Sequence, residues 1–146
     1  MCIEKYFKCS GNNKNCKIYN EYGPTEATVG CIVHLIDESN EPFIGKPIPG
    51  LKVIIANDNN LPLPVGFSGE ILLGGDSIIN EYIYSSEQTS TKFINLPESE
   101  CKYYKTGDRG RLLGNGFYEY LGRTDDQIKL NGYIKDRNDI SHNYNN

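Results

Sequence analysis

The chain has 146 residues, and its 15 lysines and arginines against 19 aspartates and glutamates give a formal net charge of −4. That length suits one ordinary domain, and an acidic balance with scattered basic residues argues against a nucleic-acid partner. Apolar runs such as Val53-Ile54-Ile55 are far too short to cross a bilayer, and no charged-then-apolar leader opens the sequence, so a cytoplasmic protein with no membrane partner is expected.

Residues 1–16 are polar and without a usable period. Residues 18–22 form a short β-type run that leads into the bend Gly23-Pro24. Residues 31–36 read as a strand buried on both faces, followed by a turn cluster. Pro42, Pro47 and Pro49, interleaved with Gly45 and Gly50, predict a stiff connection and not an element. Residues 52–56 predict a strand, 57–60 a turn, and 61–66 an extended edge or loop, since prolines are excluded from central strands. Residues 70–73 predict a strand, and 78–84 a further strand or a turn-broken segment. Ser86 can cap a short helix over residues 87–93. Three more strands are expected at 103–105, 110–113 and 117–121, the last two joined by the hairpin signal Asn115-Gly116. Regular short strands of this kind imply a mainly β fold, a small barrel or sandwich.

The five cysteines are odd in number, which does not suit a closed disulfide framework. Cys2, Cys9 and Cys16 are evenly spaced, but no Cys-x-x-Cys pair accompanies them, and only His34 and His142 are available as imidazole ligands. A metal–cysteine centre is therefore not expected.

Chemistry concentrates in Asn20-Glu21-Tyr22-Gly23-Pro24-Thr25-Glu26. Tyr22 offers a ring on which a base can stack, worth roughly 1–3 kcal/mol. Gly23 and Pro24 force the turn, Thr25 offers a hydroxyl for a phosphate, and Glu26 is an oxygen ligand of the kind Mg²⁺ takes. Three later blocks follow: Gly69-Glu70-Ile71-Leu72-Leu73-Gly74-Gly75, then Lys105-Thr106-Gly107-Asp108, then Gly122-Arg123-Thr124-Asp125-Asp126-Gln127-Ile128-Lys129.

In order and approximate spacing these four blocks resemble the adenylate-forming superfamily, over about residues 17 to 133. The first block looks most like that of an amino-acid-activating adenylation domain of a nonribosomal peptide synthetase. The resemblance implies the end of the large N-terminal domain, part α/β, over residues 1–44. It implies the small β-barrel over 45–122, and the hinge and start of the C-terminal domain over 123–146. It implies ATP and Mg²⁺, an amino-acid substrate, and a peptidyl carrier protein bearing phosphopantetheine. By the same resemblance Tyr22, Gly23, Thr25, Asp108 and Arg123 bind the nucleotide, with Asp108 accepting from both ribose hydroxyls, and Glu26 holds the metal. Glu21, Val29 and Gly30 line the amino-acid pocket, a triplet similar to that of asparagine-activating domains. Asp125 is the hinge, and Lys129 matches a lysine of the second half-reaction. Gly69-Glu70 and Gly74-Gly75 read as structural.

The phosphate loop, the aspartate for the substrate ammonium group and the C-terminal lysine of that family are missing here. The expectation is a piece of a larger enzyme that does not complete adenylation alone and works with the rest of the domain. A D-alanine–carrier-protein ligase is the alternative within the same chemistry, and an inert β-barrel packing module is the alternative outside it.

Overall fold

A computed structural model describes residues 17–27, 30–36, 43–79, 81–83, 85–97, 99–124, 127–130 and 133–136. The fold is mainly antiparallel β, as the strand and turn pattern implies. Strands β1 (Tyr19–Tyr22), β2 (Ile32–Leu35), β3 (Phe43–Pro47), β4 (Leu51–Ala56) and β5 (Ser68–Gly75) precede the single α-helix among the described residues, α1 (Ser86–Lys92). After it come β6 (Phe93–Asn95), β7 (Lys102–Leu112) and β8 (Tyr118–Arg123). These strands form one sheet in the order β1-β2-β3-β8-β7-β5-β4, with β6 also paired to β7. A separate two-stranded sheet pairs β9 (Gln127–Leu130) with β10 (Tyr133–Asp136). The sequence pattern gave no sign of β10.

β5 shows how the core is built. Its run Ile71-Leu72-Leu73 is wholly buried, because the strand lies between β4 and β7 and is covered on both faces. Ile71 and Leu73 join one apolar cluster with Tyr22, Ile32 and Ile44, while Leu72 points the other way, to Ala56, Leu96 and Tyr103. Each such side chain contributes roughly 1.5–3 kcal/mol on burial. The period of two thus ties this block to both sides of the sheet.

Four expectations need correcting. The Pro/Gly-rich stretch is not a bare connection: it contains β3, which pairs with β2 on one edge and with β8 on the other. Proline is tolerated there because Pro47 is the last residue of the strand. Gly45 takes φ +116°, and a register shift at this point bends the strand between its two partners. Second, β2 is not buried on both faces, since Ile32 is buried but Leu35 is exposed. Third, the two strands expected at 103–105 and 110–113 are one strand, β7, which runs straight through Thr106-Gly107-Asp108. Fourth, the helix is displaced by one residue from its predicted start, with Ser85 as N-cap accepting from the Gln88 amide.

A Cβ at Gly45 would lie 2.0 Å from the Val33 carbonyl oxygen, on backbone that side chains rarely adopt. Gly45→Ala is expected to cost roughly 3 kcal/mol or more in urea unfolding, the sum of overpacking and left-handed strain; a change below about 1 kcal/mol would contradict this account of β3.

Candidate functional site

The first motif and the Lys105–Asp108 block meet in space. Tyr22 ends β1, and its carbonyl is held by the Cys31 amide at 2.9 Å and the Cys31 thiol at 3.3 Å. Burial pushes the Cys31 thiol up to about 11, so it serves here as a neutral donor. The Tyr22 hydroxyl donates to Asp108 Oδ2 at 2.7 Å, across 86 residues of chain. From β8, the Arg123 guanidinium donates to Asp108 Oδ1 at 3.1 Å. Tyr22 is wholly buried, Asp108 is 2% exposed, and the Arg123 side chain retains 27% exposure. A buried carboxylate must be paired and hydrogen-bonded to offset its lost hydration, and both its oxygens are.

Asp108 is aimed by an irregularity in the sheet. Glu70 of β5 faces Arg109 of β7, yet Leu72 faces Lys105, so Thr106, Gly107 and Asp108 bulge opposite the single residue Ile71. Gly107 takes φ +71°, a conformation open to glycine. At Asp108, β7 also begins its pairing with β8, having paired with β6 up to Tyr104. The buried Thr106 hydroxyl donates to the Ile71 carbonyl at 2.7 Å and accepts from the Asp108 amide at 3.0 Å. Thr124 ties the other side, donating to the Gly107 carbonyl through its amide at 2.7 Å and its hydroxyl at 2.8 Å.

Glu26 and Thr25 lie on a single 3₁₀ turn, Thr25–Ala27, closed by the Ala27 amide on the Pro24 carbonyl. Thr25 is exposed and Gly23 half-buried. Glu26 Oε1 accepts from the Tyr82 hydroxyl at 2.6 Å. Burial, then that hydrogen bond to the carboxylate, pushes the Tyr82 phenol up to about 12. Burial raises Tyr104 as well, with the neighbouring Tyr82 and Glu26 adding to it. Tyr82 is itself held by its amide on the Thr89 hydroxyl of α1 at 2.9 Å. Among the described residues no three His, Cys, Asp or Glu side chains converge as a metal cage. A lone carboxylate still fits Mg²⁺, which is commonly held by one or two carboxylates together with substrate phosphates.

Glu21 is exposed on β1, and Gly30 sits beside it: a Cβ on Gly30 would lie 2.9 Å from Glu21 Oε2. Val29 and Asp125 lie outside the described residues, as do Cys2, Cys9 and Cys16. Lys129 falls on β9, opposite Ile134. Three residues were not singled out from sequence. Tyr120 places its ring 6.1 Å from that of Tyr22, and Tyr82 and Thr124 act as described above. The alternation of β8 could have flagged Tyr120, but nothing local marks Tyr82.

Burial raises the Tyr22 phenol most, with the Asp108 charge and hydrogen bond adding to it. A tyrosine raised in the folded state lends stability that is complete below pH 10 and is lost as the pH climbs through its folded value. Near-ultraviolet titration should therefore show Tyr82 ionising at about 12, with Tyr22 and Tyr104 ionising only as the chain unfolds. Tyr22→Phe should remove one late-titrating group, and a single transition near pH 10 for all tyrosines would contradict this site.

Residues 2–83 match the family described as AMP-binding enzyme. The chain is 42% identical over 121 residues to the AMB antimetabolite synthetase AmbB of Pseudomonas aeruginosa, covering 80% of this chain and 10% of that protein. With bacitracin synthase 2 of Bacillus licheniformis it shares 38% identity over 133 residues, covering 88% and 5%. With tyrocidine synthase 3 of Brevibacillus parabrevis it shares 42% identity over 120 residues, covering 80% and 2%. A solved NRPS protein containing adenylation and PCP domains superposes with a TM-score of 0.76 at 30% identity, over 88% of this chain and 27% of that one. The chain therefore spans a small part of the proteins it matches. With more than half its length in the family match and its fold shared with an adenylation-containing structure, it belongs to the AMP-binding enzyme family as part of an adenylation domain.

Proposed function

We propose that this chain supplies the adenosine and metal side of an amino-acid-activating site in nonribosomal peptide synthesis. In that reaction the amino-acid carboxylate attacks the α-phosphorus of ATP and pyrophosphate leaves, and the phosphopantetheine thiol of a carrier protein then attacks the aminoacyl carbonyl, releasing AMP. The observation that carries the reading is the convergence of Tyr22 and Arg123 on the Asp108 carboxylate. A carboxylate has about four acceptor sites, so one on each oxygen is left for the two ribose hydroxyls. Arg123 is the more exposed partner, so its guanidinium lies on the side from which a ribose would approach.

Tyr22 offers no open ring face in this state. In this reading it positions Asp108 through its hydroxyl. Thr25, exposed on its turn, and the backbone at Gly23 face the phosphates. Glu26, oriented by Tyr82, would hold Mg²⁺, which when bound neutralises charge growing on the phosphoryl oxygens. Glu21 and Gly30, side by side, would form one wall of the amino-acid pocket with Val29. An acceptor carboxylate there suits the amide N–H₂ of asparagine. Asp125 as hinge, Lys129 in the transfer step and domain boundaries at 44/45 and 122/123 complete the assignment. A cytoplasmic setting fits the free thiols of Cys31 and Cys101, and no described helix is long and apolar enough to cross a membrane.

Isothermal titration of the chain should give tighter binding of AMP than of 2′,3′-dideoxy-AMP by about tenfold or more, since hydrogen bonds to a charged group contribute about 1.5–3 kcal/mol. Asp108→Asn should shrink that preference, and equal binding of both ligands by the unaltered chain would sink the reading. Glu26→Gln should reduce the gain in ATP affinity on adding Mg²⁺, measured in the same titration with and without the cation.

A further inference from the structure

Glu70 lies in a block that the sequence marks only as structural, yet its carboxylate reaches the bulge that aims Asp108. Glu70 Oε1 accepts the Gly107 amide at 3.0 Å, while Oε2 pairs with Lys105 Nζ at 3.4 Å. The Gly107 amide cannot join an ordinary strand ladder, because the bulge sets three residues of β7 against Ile71 alone. A side chain from the facing strand takes that place. The peptide units around Gly107 are then fixed from both directions, by Glu70 at the N–H and by Thr124 at the carbonyl. Asp108 is the next residue. A change in the Gly107 backbone would therefore swing the carboxylate away from its two donors, Tyr22 and Arg123.

We propose that Glu70 is a positioning residue for Asp108: by accepting the Gly107 amide it holds the left-handed bulge, and so sets the carboxylate for ribose hydroxyls. The inference rests on the reading of Asp108 as the ribose acceptor. Its working feature is the acceptor oxygen and not the charge, since the ion pair with Lys105 is partly exposed and such pairs contribute little.

The test compares Glu70→Ala, Glu70→Gln and Lys105→Met in the full chain. It uses affinities for AMP and 2′,3′-dideoxy-AMP together with hydrogen exchange at the Gly107 amide. Glu70→Ala should weaken AMP binding by about fivefold or more, the scale of one hydrogen bond, with little effect on the dideoxy ligand, and should speed Gly107 exchange. Glu70→Gln, which keeps an acceptor oxygen, and Lys105→Met should both stay near the unaltered chain. Equal losses for both ligands in Glu70→Ala, or a Gln variant as impaired as Ala, would overturn the proposal. If the unaltered chain itself ignores the ribose hydroxyls, the ribose reading has failed. The amide then decides whether Glu70 holds the bulge: faster exchange in Ala but not Gln supports that hold, and unchanged exchange refutes it.

Discussion

One buried carboxylate organises this molecule. Asp108 sits where β7 changes partner, and it is reached by a phenol from β1 and a guanidinium from β8. A charge this deep is tolerated only while those donors stay in place. Elements far apart in sequence are thereby held to a single geometry: the end of β1, the bulge of β7 and the end of β8. The apolar layer behind them, with Ile71, Leu73 and Ile44 fully buried, supplies the rigidity against which the polar contacts keep their direction.

The bulge converts sheet structure into a site. A regular strand would turn alternate side chains to opposite faces with every amide committed to the ladder. Three residues opposite one release an amide and a carbonyl at Gly107, and Glu70 and Thr124 take them up. Polar contacts are thus concentrated next to Asp108, where the amide and carbonyl of Gly107 are taken up by local hydrogen bonds. Around Glu26 the same principle operates through a phenol, with the short helix α1 holding Tyr82 by the Thr89 hydroxyl. That helix buries no residue of its own, so its visible contribution is to fix the loop that carries Tyr82.

The sequence made the residue types of the site legible, because Tyr22, Glu26, Asp108 and Arg123 sit in blocks with distinctive glycines and turns. It made the strands legible where alternation or an apolar run was clean, as in β4 and β5. It failed where tertiary pairing overrides composition. β3 contains Gly45 and Pro47 and is a strand only because β2 and β8 flank it. The continuity of β7 was hidden by Thr106-Gly107-Asp108, which looks like a turn until β5 and β8 are paired to either side. Tyr82 had no local signature, since its partner Glu26 is 56 residues away. The burial of Tyr22 was likewise invisible, because a tyrosine before a Gly-Pro bend reads equally well as an open stacking ring.

The measurement that bears most directly on the central carboxylate is a crystal structure of this chain with AMP. It should place the 2′ and 3′ hydroxyls at about 2.5–3.0 Å from the two Asp108 oxygens, with Tyr22 still donating to the same group. An ordered nucleotide seated elsewhere, or a ribose turned to solvent with Asp108 untouched, would contradict the account.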